Sequence, residues 1–197
     1  GDLNKIKFLE RLAINNKVIL YVAYNHRFEP HIIKMKNLIL SKKLGKIYSC
    51  RMFYGNGTAK LVKGSKWRNT GIGVLSDLGS HLLDICKFLF KDKDIGDFRI
   101  ISANKFENSS YDHVIICNNN SRIQIDLEMT YCMWKNNFTC DVIGEKGSAH
   151  IESLCKWGPS IFTHRKRIYP SGIPKEKKNI IKQKDPTWDK EYKYFKK

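Results

Sequence analysis

An α+β fold, a predominantly antiparallel open sheet with helices on one face, is predicted by three features of this 197-residue chain. Residues 98–153 hold a series of short apolar segments joined by brief polar connections, the pattern of strands that pair with their sequence neighbours. Within it, Ile123, Ile125, Leu127 and Met129 alternate with Arg122, Gln124, Asp126 and Glu128, which gives a strand one buried and one polar face. Residues 74–90 instead place Leu75, Leu78, Leu82, Ile85 and Leu89 at helical spacing, an apolar stripe that packs on a sheet.

Taken in order, residues 3–15 repeat Ile6, Leu9, Leu12 and Ala13 at helical spacing and read as the end of a helix. Residues 17–23 (KVILYVA) form a continuous apolar run, the mark of a strand buried on both faces. These two pieces look like the end of an α/β domain whose beginning is absent. Pro30 opens a helix to about Leu40, since its missing N–H does no harm in the first turn, and Lys42, Lys43 and Gly45 close it. A strand over 47–54 and a glycine- and lysine-bearing loop over 55–69 lead to the central helix. Strands follow at 98–105, 113–118, 121–131, 138–144 and 149–153, with a turn at Asn118, Asn119 and Asn120. From Pro159 the chain reads as an irregular tail punctuated by Pro170, Pro174 and Pro186.

Lysine and arginine number 36 against 19 acidic residues, a formal net charge of +17. Such a balance admits nucleic acid or an acidic membrane surface. The excess is mostly lysine, however, and is scattered until the stretch from Lys175, Lys177 and Lys178 to Lys197. Arginine is the better planar recogniser of phosphate, so the pattern argues against nucleic acid; an anionic small substrate accounts for part of the charge. No apolar run approaches the roughly 20 residues that span a bilayer, and no charged-then-apolar leader opens the chain. A cytoplasmic protein is expected, with an excised start at Gly1-Asp2. Six cysteines without CxxC spacing are expected to be reduced, buried thiols. No HxxxH or HExxH pair occurs, so no metal is expected.

The informative segment is residues 71–84, GIGVLSDLGSHLLD. On a helical wheel Asp77, His81 and Asp84 make a second stripe, centred roughly 120° from the apolar one. A carboxylate and an imidazole then stand about 6 Å apart at Cβ, beside Gly79, where no side chain blocks a ligand. Oxidising a secondary alcohol needs a base for the hydroxyl proton while hydride leaves the carbon, and histidine titrates in the right range. The neighbouring carboxylate fixes its tautomer. Spacing alone leaves open the plainer possibility that this stripe simply faces water.

The same residues resemble the Gfo/Idh/MocA family of glucose–fructose oxidoreductases and inositol dehydrogenases, whose pattern is a glycine pair followed by D-x-G-x-H-x-x-D. Here it stands as Gly71, Gly73, Asp77, Gly79, His81 and Asp84. Tyr24 to Pro30 (YNHRFEP) resembles the family's passage out of its nucleotide domain. Leu44-Gly45-Lys46-Ile47, Trp67-Arg68 and the late hairpin at 143–148 (IGEKGS) match in order. The resemblance implies an NAD(P)-dependent oxidoreductase acting on a sugar, polyol or nucleotide-sugar hydroxyl. It casts His81 as proton acceptor and Asp77 as its supporting acid. Asn25, His26 and Arg27 are implied near the nicotinamide, with Asn25, Arg27, Trp67, Arg68 and Asp84 contacting substrate; for Arg68 a salt bridge at the domain surface is an equal alternative. Lys156-Trp157-Gly158-Pro159-Ser160 lines the pocket or is a plain turn.

The family's G-x-G-x-x-G and Glu-Lys-Pro segments do not occur in this chain. Residues 1–25 are therefore expected to be the last helix and strand of a dinucleotide-binding Rossmann domain, and 26–197 a substrate-binding and oligomerisation domain. On that reading the cofactor, NAD or NADP, is held mainly outside the chain, which by itself is inactive. The resemblance also implies a homo-oligomer formed through the open face of the sheet. The alternative is a non-catalytic oligomerisation or scaffold domain of the same fold.

Overall fold

The structure, a computed structural model, describes residues 3–119 and 121–196, with the backbone alone at Lys93. Gly1, Asp2, Lys197 and the Asn120 of the expected turn lie outside them. Helix α1 (Leu3–Asn15) leads through an extended segment to a 3-10 turn, Asn25–Phe28, and helix α2 (Pro30–Leu40). Strand β1 (Ile47–Gly55), a short α3 (Ala59–Lys63), a π-helical turn (Leu75–Gly79), α4 (Ser80–Leu89) and α5 (Asp92–Ile95) follow. Strands β2 (Asp97–Asn104), β3 (His113–Asn119), β4 (Gln124–Thr130), β5 (Asn137–Gly144) and β6 (Gly147–Glu152) form a meander interrupted only by β1. After a 3-10 turn at Cys155–Trp157 come β7 (Ser160–Lys166), β8 (Lys175–Ile181) and α6 (Thr187–Phe195).

All eight strands form one sheet in the order β2-β3-β4-β1-β5-β6-β7-β8. Every pairing is antiparallel except that of β1 with β4. This is the expected α+β architecture. Alternation places Cys50, Met52 and Tyr54 of β1, Ile125, Leu127 and Met129 of β4, and Phe138, Cys140 and Val142 of β5 in the core. There they meet Ile32 and Met35 of α2 and Leu82, Ile85 and Leu89 of α4. On the opposite face Arg51 stands in register between Asp126 and Asp141, a cross-strand charge pattern that favours this pairing. All six cysteines are free thiols, five of them buried. Among the described residues no helix is long and apolar enough to cross a membrane, and no three His, Cys, Asp or Glu side chains cluster as a metal would require.

Two expectations fail. Residues 17–23 form no strand: Val18, Ile19, Leu20 and Val22 are 52–70% exposed. A strand exists only by pairing, and this run joins no strand; it meets α6 through side chains instead, Tyr21 donating to Glu191 Oε1 at 3.0 Å and packing on Tyr194 and Phe195. The tail from Pro159 is not irregular either, since β7, β8 and α6 lie there. Its lysines suit an outermost strand, where unpaired backbone edges are blunted by charge. Ser160–Lys166 hides an apolar inner face, Phe162, among polar neighbours. A smaller difference is α3, within the expected loop.

Candidate active site

The central helix begins irregularly. Gly73 takes φ +52°, and a Cβ there would lie 2.1 Å from the Tyr111 carbonyl oxygen, while Val74 N–H donates to that same carbonyl at 2.8 Å. Only glycine lets the two backbones approach so closely. The π turn that follows is one residue wider than an α turn and rotates what comes after it, a feature common at functional sites. Gly79 sits on this turn, but against Met129 Sδ and Leu75 Cδ1, at 2.7 and 2.9 Å from a notional Cβ. It admits close helix–sheet packing and leaves no open space for a ligand, contrary to expectation.

His81 stands where α4 starts. Its ring lies 4.3 Å from that of His26, with Tyr24 edge-on at 5.7 Å and Tyr54 at 6.3 Å. Lys156, from the Cys155–Trp157 turn, points its Nζ at His26 Nε2 (3.1 Å) and donates to the Tyr54 hydroxyl (3.2 Å). An ammonium can only donate, so His26 Nε2 accepts and its proton sits on Nδ1. The Nδ1 atoms of both His26 and His81 are buried without a partner. Burial and then the Lys156 charge push the His81 pKa below its usual value, against the opposing pull of Asp77 and Asp84. His26 is lowered further, by burial, Lys156 and His81. Burial likewise lowers Lys156. The cluster is thus held with neutral imidazoles beside a cation.

Two ion pairs flank it. Asp77 Oδ2 accepts from Arg68 Nε (2.9 Å) and Nη2 (2.5 Å) and from the Tyr131 hydroxyl (2.9 Å). Arg68 in turn stacks over Trp67, a residue 74% exposed. One helical stretch later, buried Asp84 takes the fork of Arg27 through Nε at 2.7 Å and through Nη2. Asp77 therefore does not hydrogen-bond His81, as the wheel predicted. The π turn rotates it towards Arg68 and Tyr131, and it acts on the imidazole only through its charge.

Residues 32–150 match the family model described as the GFO/IDH/MocA C-terminal domain. This chain belongs to the Gfo/Idh/MocA family. It is 25% identical over 171 residues to the glucose-6-phosphate 3-dehydrogenase of Bacillus subtilis, an alignment covering 84% of this chain and 45% of that protein. An inositol dehydrogenase homolog of Azotobacter vinelandii, solved with NADH and myo-inositol, superposes with a TM-score of 0.69 at 18% identity, over 91% of this chain and 46% of that one. The super-repressor mutant of Gal80p from Saccharomyces cerevisiae gives 0.73 at 14% identity, over 99% and 55%. The chain spans about half the length of these relatives.

For this Gfo/Idh/MocA chain, the residues singled out in the sequence fall into three groups. His26 joins His81; Trp67 and Arg68 join Asp77; Arg27 closes on Asp84. Asn25 belongs to none of them: it is buried, and its side-chain amide donates to Thr187 Oγ1 of α6 at 2.9 Å. Tyr54 and Tyr131 escaped the sequence reading as site residues, Tyr24 figured in it only as the start of the YNHRFEP segment, and Lys156 only within an ambiguous turn. Tyr54 and Tyr131 end two predicted strands that turn out to be parallel neighbours. A hydroxyl-bearing aromatic at each strand end was the available signal.

Proposed function

We propose that this chain is the substrate-binding and catalytic half of an NAD(P)-dependent oxidoreductase acting on a sugar, polyol or nucleotide-sugar hydroxyl. The observation that carries the reading is His81: a neutral, half-buried imidazole with a free ring nitrogen, held beside Tyr54 and the Lys156 ammonium. Such a group accepts the hydroxyl proton of an alcohol, and the adjacent cation stabilises the developing alkoxide. Arg68 and Trp67, with Asp77 anchoring the guanidinium, offer a planar donor and a ring face to a polyhydroxyl ligand. Asp84 serves the site by holding Arg27.

A nicotinamide supplies the hydride acceptor when bound. Asn25 and His26 are turned inward, so the contact this chain offers the cofactor rests with Arg27, whose side chain is 43% exposed. The pyrophosphate cradle lies in a separate dinucleotide-binding domain, of which residues 1–25 are the final part and which 26–197 complement; this chain alone is inactive. Free thiols throughout suit a cytoplasmic setting. Homo-oligomerisation through the open sheet face is favoured by Phe53 and Ile143 among its charged residues, and light scattering that finds only monomer removes it. The same face supports the second reading, a non-catalytic scaffold.

The test joins this chain to a dinucleotide-binding domain and follows NADH absorbance with sugars, sugar phosphates and nucleotide sugars. His81→Ala is expected to lower kcat by roughly 10²–10⁴-fold with the fold retained. Turnover that survives the substitution removes His81 from the mechanism, and no turnover with any substrate favours the scaffold.

A further inference from the structure

A cleft of about 800 Å³ opens between α2 and the β7–β8 hairpin and shares no lining residue with the His81 cluster. Its floor is a cross-strand ladder: Phe162 opposite Asn179, His164 opposite Lys177, Lys166 opposite Lys175. Lys34, Asn37 and Leu38 of α2, with Ser41 and Lys43 beyond its end, make the facing wall. No carboxylate lines it, and Lys34, Lys43, Lys166, Lys175 and Lys177 form no salt bridge among the described residues. Like charges directly opposite on neighbouring strands oppose pairing. Here one such rung, Lys166–Lys175, stands beside a second in which His164 faces Lys177. His164 Nε2 is buried without a partner, and burial together with Lys43 and Lys177 keeps its ring from protonating. Edge-strand protection would explain lysines on β8 alone. It does not explain lysines converging from the helix wall as well.

We propose that this cleft binds a small polyanion carrying two or more adjacent phosphate groups. Five ammonium groups, compact point charges that need no fixed bidentate geometry, suit several phosphates at once. The cavity lies within the size range of small-molecule sites. A nucleic-acid track would need exposed aromatic platforms; the phenyl ring here, Phe162, is 2% exposed and lies under Lys34 at 5.0 Å. The proposal stands apart from the dehydrogenase reading and is tested on the chain itself.

Tripolyphosphate titrated calorimetrically should saturate a single site, with affinity falling as salt rises from about 0.05 to 0.15 M. The pair Lys175→Glu/Lys177→Glu should weaken it by about tenfold or more, and Lys182→Glu/Lys184→Glu, equal in charge change but outside the cleft, by less than about twofold. Asn37→Asp, on the helix wall, should also weaken binding while leaving the edge strand untouched. ATP should bind at least as well as tripolyphosphate, and adenosine should not. Equal losses in the two lysine pairs, no effect of Asn37→Asp, binding of adenosine, or saturation with long RNA alone would each overturn the proposal.

Discussion

At the scale of single residues, the chemistry rests on what surrounds each titratable group. His81 lies below its ordinary pKa because burial and Lys156 both disfavour the imidazolium. In the proposed role of base it would work unprotonated, so activity of the joined enzyme should fall only below about pH 6.5. Lys156→Met removes one of the two lowering causes. It should therefore raise the His81 midpoint, read by histidine-selective NMR titration, and move the acid limb of the pH–rate profile upward. An unchanged midpoint would mean that burial alone sets it. Asp84→Asn tests the second ion pair. It leaves the Arg27 guanidinium without its carboxylate, a loss of roughly 1–3 kcal/mol after allowing for the partial exposure of Arg27, measurable as a shift in urea midpoint.

Elements decide how those residues meet. Spacing correctly assigned Leu78, Leu82, Ile85 and Leu89 to the core, because a buried stripe is a property of the helix itself. It misplaced Asp77, because a regular wheel cannot anticipate a π turn, and the turn depends on the Gly73–Tyr111 backbone contact with a distant loop. Gly71 and Gly73 separate these effects. Both have positive φ, +58° and +52°, but a Cβ at Gly71 meets nothing within 4 Å. Gly71→Ala should cost only the left-handed strain, about 1 kcal/mol. Gly73→Ala adds a backbone clash and should cost about 3 kcal/mol or more, with His81 displaced. Equal thermal shifts for the two would show that the close approach is unimportant. At the N-terminus, α1 exposes Leu3, Phe8 and Ile14, at 63–75%.

For the whole molecule, four imidazoles (His26, His31, His81 and His164) are held below their ordinary pKa, burial being the first cause in each. The unfolded chain then binds more protons than the folded one as pH falls through 6.5, so stability is full above that value and declines below it. Glu29 and Glu191, raised by burial, act in the opposite sense from 4.5 upward. The net loss should be on the order of 2 kcal/mol between about pH 7.5 and 5.5, seen in denaturant midpoints. A flat profile would place these rings in contact with water.

The sequence by itself determined the strands between residues 47 and 153, their buried and polar faces, the central helix and the place of His81 on it. Each of these is encoded in local periodicity or in a contiguous motif. Tertiary structure alone decided that residues 17–23 join no strand, that the lysine-rich tail completes the sheet, and that Asp77 serves Arg68 and Tyr131. It alone brought Lys156 from residue 156 to His26 and Tyr54. Strand pairing, charge partnership and cavity walls are relations between distant segments, set by which faces the core brings together, and no local pattern carries them.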